Sequence, residues 1–149
     1  TGYDSVEFMI STNIGEELKP LSKIVSGGEV SRIMLALKAI FSEVDNIPIL
    51  IFDEIDTGIG GETVRKVADK LKKIAENVQI ICITHSPQIA ARGKQQFYIE
   101  KNTTEGKTET KVLPLDSEGR VKEVSRMLAG ENVSEAVLNH ARELLKEGL

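Results

Sequence analysis

Two apolar runs constrain this chain more than any other feature: "PILIF", residues 48 to 52, and "VQIICI", residues 78 to 83. Each is short, and "PILIF" has no polar position at all, which suits a parallel strand covered on both faces rather than a half-solvated one. A helical period precedes each run. Val30, Ile33, Met34, Leu37 and Phe41 recur at helix spacing before the first, and Val64, Val67, Ala68, Leu71 and Ile74 before the second. Helix, strand, helix, strand is the α/β order, and it predicts a mostly parallel sheet flanked by helices. Around this centre, Val6, Phe8 and Ile10 alternate with Glu7 and Met9 as in a half-buried strand that stops at the turn "NIGEE", and "DNIP" ends the first helix. "QFYIE" and "TETKVLPL" flank a polar turn and predict an antiparallel hairpin at the sheet edge. Two helices close the chain, around Val121, Val124 and Leu128, and around Val137, Ala141, Leu144 and Leu145. At 149 residues and 40% hydrophobic content, all of this fits one domain, 1–149, that buries a core without staples.

The composition narrows the function classes. One cysteine rules out a disulfide framework, and Cys82 sits within "IICI", where a small buried core residue is expected rather than a reactive thiol. No apolar run reaches the length of a membrane span, so no membrane partner is expected. A formal charge of -4 argues against a nucleic-acid surface spread over these residues, because phosphate backbones are held by excess Lys and Arg. The start at Thr1 reads as a cut from a longer polypeptide, with DNA contacts lying elsewhere in it.

The chemistry gathers at strand ends. Asp53 and Glu54 follow the last apolar residue of the first buried strand, and open α/β sheets bind ligands at the carboxyl ends of their strands. Adjacent residues there point to different sides, so one carboxylate can support a hydrated Mg²⁺ while the other orients or deprotonates water. Two like charges side by side add nothing to an apolar strand, which favours a functional reading. Asp56 or Thr57 could instead start the helix that follows, as an N-cap.

A second feature is "SGGE", Ser26, Gly27, Gly28 and Glu29, which has the spacing of a capping box. A capping box needs no glycine pair, and each glycine costs a helix roughly 1 kcal/mol relative to alanine. Bare backbone at the positive end of a helix is suited to gripping an anion, so these residues are candidates for phosphate contact. The third feature is "ITHS", where His85 lies just past the second buried strand and could share the crevice with Asp53 and Glu54. Pro87 reads there as part of a simple turn, and His140 as a surface residue on the last helix. A phosphate cradle is missing. Gly106, Lys107 and Thr108 match the tail of a P-loop, but Lys101 occupies the position of its first glycine and no helix pattern follows; "GIGGET" also misses the dinucleotide fingerprint.

Taken together, "VSGGE", "PILIFDE", "IDTGIGG" and "THS" resemble, in order, the signature motif, Walker B, D-loop and switch histidine of the ABC-type ATPases. The forms "LKPLSKIVSGGEVSRIMLALKAIF", "IFDEIDTGIGG" and "ITHSPQIA" are most similar to the C-terminal head lobe of the RecN family of SMC-like DNA repair ATPases, over roughly residues 5 to 145. The resemblance implies an ABC/SMC-type head split between the two ends of one polypeptide, with the Walker A lobe and the coiled coil outside this chain. It implies ATP and Mg²⁺ as cofactors, Asp53 as the water-mediated Mg²⁺ support, Glu54 as the residue that activates water, and His85 as the γ-phosphate sensor. Ser26, Gly27, Gly28 and Glu29 would contact ATP bound to a second head, and Asp56 would communicate across that dimer. Val25 and Glu29 depart from the leucine and glutamine of the wider pattern, and "IDTG" departs from the transporter D-loop. Implied partners are the N-terminal lobe of the same polypeptide, a second head and, through the whole protein, DNA, in a cytoplasmic, nucleoid-associated setting. The competing readings are a metal-dependent nuclease or phosphatase that places Glu54, Asp56 and His85 on Mg²⁺ or Mn²⁺, and a clamp lobe that only dimerises.

Overall fold

The computed structural model describes residues 2–11, 15–23, 26–41, 47–104 and 107–148. Its centre is the expected parallel pair, β3 (Ile49–Asp53) and β4 (Gln79–Ile83), in register from Ile49 opposite Gln79 to Asp53 opposite Ile83. Helix α1 (Gly27–Phe41) precedes the first strand and α2 (Gly61–Ile74) connects the two. In α2 the buried residues are Val64, Val67, Ala68, Leu71 and Ile74, the stripe its sequence spacing demands. They close over Phe52, Ile55, Leu35 and Ile89 to form the main core. Burying each large side chain there contributes about 1.5–3 kcal/mol, so this helix fixes one face of the sheet.

The other face departs from expectation. Side chains alternate across a strand, so Leu50 and Phe52 point toward α2 while Ile49 and Ile51 point away. Ile49, Ile51, Ile81 and Ile83 are all exposed, Ile51 at 68%. The strands are apolar on both sides, yet among the described residues only one side is covered.

Further corrections follow from the same logic of missing neighbours. The expected strand around Val6, Phe8 and Ile10 shortens to β1 (Met9–Ile10), paired antiparallel with β2 (Lys19–Pro20), and Val6 and Phe8 are exposed. The hairpin forms as expected, with β5 (Phe97–Thr104) antiparallel to β6 (Lys107–Pro114). Among the described residues, however, it is a separate two-stranded sheet and not the edge of the parallel one. Its paired Ile99 and Val112, with Phe97 two residues along, leave a second apolar strip exposed. The turn in "NIGEE" and the stop in "DNIP" fall partly on residues outside the described set.

One helix is new. Pro87 belongs to α3 (Pro87–Arg92), not to a simple turn; Ser86 is its N-cap, accepting from the Ile89 N–H, and proline suits the first helical position. Short as it is, α3 joins two cores: Ile89 sits in the main one, and Ala91 in a second one with Val124, Ala141 and Leu144. That second core lies between α4 (Ser117–Ala129), N-capped by Asp116, and α5 (Glu135–Gly148), the two expected terminal helices. Arg92 reinforces the joint by pairing with Asp69 of α2 at 3.3 Å and Glu147 of α5 at 3.7 Å.

Candidate functional site

The register of the parallel pair decides where the site forms. Because Asp53 lies opposite Ile83, the residues after both strands, Glu54 to Thr57 and Thr84 to Ser86, leave the sheet side by side. Asp53 and Glu54 are exposed there, and so is His85. Glu54 adopts φ of 55°, a left-handed conformation that a non-glycine residue holds at a cost of order 1 kcal/mol. It is the sole non-glycine residue with positive φ among those described. The turn is closed by the Thr57 N–H donating to the Glu54 carbonyl at 3.0 Å, and Glu54 Oε2 lies near the start of α1, 3.7 Å from where a Cβ on Gly27 would be.

The start of α1 packs against this turn. Ser26 caps the helix by accepting the Glu29 N–H, a long contact at 3.5 Å. Gly28 is buried, and a methyl group in its place would lie 3.0 Å from the carbonyl oxygens of Glu54 and Thr57. Gly27 is roomier, since a methyl there would meet only Glu54 Oε2, at 3.7 Å. The second glycine therefore serves close packing within the chain, whatever else the first presents outward. Gly28→Ala is expected to destabilise the protein by about 1–2 kcal/mol, where helix propensity alone would make alanine stabilising by roughly 1 kcal/mol. Gly27→Ala, which meets only an ordinary contact, should leave stability unchanged or raise it by up to about 1 kcal/mol. Urea midpoints of the two variants check this, and equal midpoints would contradict the close approach.

Two residues that motif reading passed over hold α1 to the turn. Arg32 Nη1 donates to the carbonyls of Ile55 at 3.2 Å and Thr57 at 2.9 Å, and Ser31 Oγ donates to the Asp53 carbonyl at 3.0 Å. A cationic donor three or four residues after "SGGE" was a readable signal, because it lies on the helix face that Gly28 presents. The Asp53 to Thr57 turn is thus braced by hydrogen bonds to its backbone, leaving the side chains of Asp53 and Glu54 outward.

Asp56 behaves differently from its neighbours. It is half-buried, and its Oδ2 accepts from Thr84 Oγ1 at 2.7 Å and from the His85 N–H at 2.9 Å. Neither Asp56 nor Thr57 caps the next helix, as the sequence had allowed; α2 starts four residues later, with Gly60 as an N-cap that lacks a side chain. Cys82, half-buried on β4, has its thiol pushed up to about 12, first by burial and then by the charges of Asp56 and Asp53. It stays protonated at neutral pH and has no nucleophilic role. His140 lies near the middle of α5, exposed as expected, beside Glu143 at 3.9 Å.

The donor set can be tested against a metal. Mg²⁺ is commonly held by one or two carboxylates, with phosphate oxygens and water completing its octahedron, and the exposed Asp53 fits that use. Among the described residues no group of three or more His, Cys, Asp or Glu side chains converges as a cage would require. No described helix is long and apolar enough to cross a membrane.

Comparison with known proteins agrees with this geometry. A chain solved in work on the structural biochemistry of ATP-driven dimerization and DNA stimulated activation of SMC ATPases superposes with a TM-score of 0.51 at 26% identity, covering 76% of this chain and 68% of that one. Proteins named DNA repair protein RecN are 48% identical over 98% of this chain in Bacillus subtilis and 51% identical over 99% in Treponema pallidum. The Vibrio cholerae protein of that name is 46% identical over 97%. The chain spans only about a quarter of the length of these relatives, 25% and 26% for the first two. Residues 6–110 match the family described as RecF/RecN/SMC N terminal domain, and with more than half of its length in that match the chain belongs to this family.

Proposed function

We infer that the chain is the C-terminal lobe of a split ATPase head from a RecN-like protein that acts in DNA double-strand break repair. The observation that carries this reading is the acid pair Asp53 and Glu54, set outward at the end of a parallel strand whose far face is bare isoleucine. The acids need a phosphate, and the bare face needs a cover. A Walker A lobe from the N-terminal end of the same polypeptide supplies both. ATP would then sit between that lobe and this one.

In this reading Asp53 would hold Mg²⁺, and the ion, when bound, would neutralise phosphate charge. Glu54 accepts a hydrogen bond from the attacking water and takes its proton as the oxygen approaches the γ-phosphorus. His85 donates to a γ-phosphate oxygen and stabilises charge that builds there. Ser26, Gly27 and Glu29 meet the ATP held by a second head, while the buried Gly28 seats this helix start on the Glu54 turn, with Asp56 close to that interface, so two heads enclose two nucleotides. Hydrolysis removes the bridging γ-phosphate and lets the pair separate. DNA is engaged by the whole protein, in the cytoplasm and on the nucleoid. The nuclease reading gains no support, because one oxygen of Asp56 is already taken by two donors of its own chain.

The bare face provides the test. Ile51→Glu should leave the chain folded, since that side chain contacts solvent, but should weaken its association with the N-terminal Walker A lobe by at least about 100-fold through burial of an unpaired charge. Titration calorimetry between the two lobes reads this directly. Unchanged affinity would mean that the isoleucine face is not where the lobe docks.

A further inference from the structure

The contacts of Asp56 suggest a task that lies within one head. Its Oδ2 receives both Thr84 Oγ1 and the His85 N–H, at 2.7 and 2.9 Å, across a sequence gap of 28 or more residues. Thr84 Oγ1 in turn accepts the Ser86 N–H at 3.0 Å, and Ser86 Oγ accepts the Ile89 N–H at 3.4 Å at the start of α3. On the other side, Arg32 of α1 grips the carbonyls of Ile55 and Thr57, the residues flanking Asp56. A chain of hydrogen bonds therefore runs from α1, through the turn that carries Asp53 and Glu54, to the backbone of His85 and on to α3. Asp56 is its central link.

We propose that Asp56 is a positioning residue that locks the backbone of His85 beside Glu54 within the same head. The proposal rests on the ATPase reading and adds to it. The phosphate-facing histidine is exposed and follows the end of a strand, so its ring has little packing to hold it. Fixing the main chain at residues 84 and 85 is the available way to keep that ring at a set distance from the acids. A single oxygen accepts both donors, so asparagine can reproduce the link in geometry although not in charge. Alanine cannot.

The test is a double-mutant cycle on the assembled head, comprising this chain and the N-terminal Walker A lobe. Asp56→Ala should lower kcat by about 10-fold or more, in line with losses seen when a residue that orients another is removed. KM for ATP and the mass of the ATP-induced dimer should stay unchanged, and Asp56→Asn should recover kcat to within about threefold. Combined with His85→Ala, Asp56→Ala should cause no additional loss, because it acts through His85. Hydrogen exchange at the His85 amide should be faster in the alanine variant and near wild type in the asparagine one.

Additive losses in the double variant, or loss of the dimer in Asp56→Ala, would overturn the cis role and assign Asp56 to the contact between heads. An unaltered His85 amide would overturn it as well. If the wild-type assembled head fails to turn over ATP, the ATPase reading itself falls, and the proposal falls with it; turnover in the wild type with any of the preceding results removes only the proposal.

Discussion

Glu54→Gln should lower ATP turnover of the assembled head by at least about 100-fold, the usual scale for removing a general base. Glutamine matches glutamate in shape, so the exposed tip of the turn and its left-handed backbone should be kept. What is lost is the ability to take a proton from water. ATP binding and the ATP-induced dimer should persist, and the dimer should last longer because hydrolysis no longer ends it. Single-turnover hydrolysis with mass measurement on the same sample checks both halves of this expectation. Undiminished hydrolysis would remove Glu54 from its role, whereas loss of nucleotide binding would point to a structural effect on the Asp53 to Thr57 turn.

The second large effect concerns Ser26. Ser26→Arg should weaken ATP-induced dimerisation by about 100-fold or more while ATP binding to one complete head changes by less than about threefold. The residue is half-buried at the start of α1, and in the split-head reading a long cationic side chain there would occupy the space proposed for a second head's nucleotide. Part of any effect could come from losing the cap, worth about 0.5–2 kcal/mol. Ser26→Ala isolates that part. Dimer mass by light scattering, at matched ATP saturation, separates the two variants; equal dimerisation in Ser26→Arg and wild type would contradict a grip in trans.

Local patterning made some elements legible and left others hidden. Helix α2 and the parallel pair were readable because a five-residue stripe and two apolar runs permit few other arrangements, and the observed register brings the segment that carries His85 alongside the turn that follows Asp53. The hairpin was readable from its alternation and polar turn, but its place was not, because strand pairing beyond a hairpin depends on what lies alongside. Helix α3 was missed although Ser86 and Pro87 are a proper start signal; at six residues it is too short to show a period. In the site, the acids and the histidine stood out by chemical type. Gly28 stood out as a phosphate candidate but not for its packing, and Arg32 did not stand out at all, since both depend on backbone carbonyls of a segment more than twenty residues away. The apolar strands carried the most useful mismatch: the sequence asks for two covered faces, the described residues cover one, and the difference is the surface on which a second lobe can be sought.

The most direct test of the central claim is Mg²⁺-dependent ATP turnover, together with mass, for this chain alone and mixed with the N-terminal Walker A lobe. The split-head account predicts turnover and ATP-dependent dimers in the mixture and neither from the chain by itself. Turnover by this chain alone, or none in the mixture once the two lobes are shown to have associated, would contradict it.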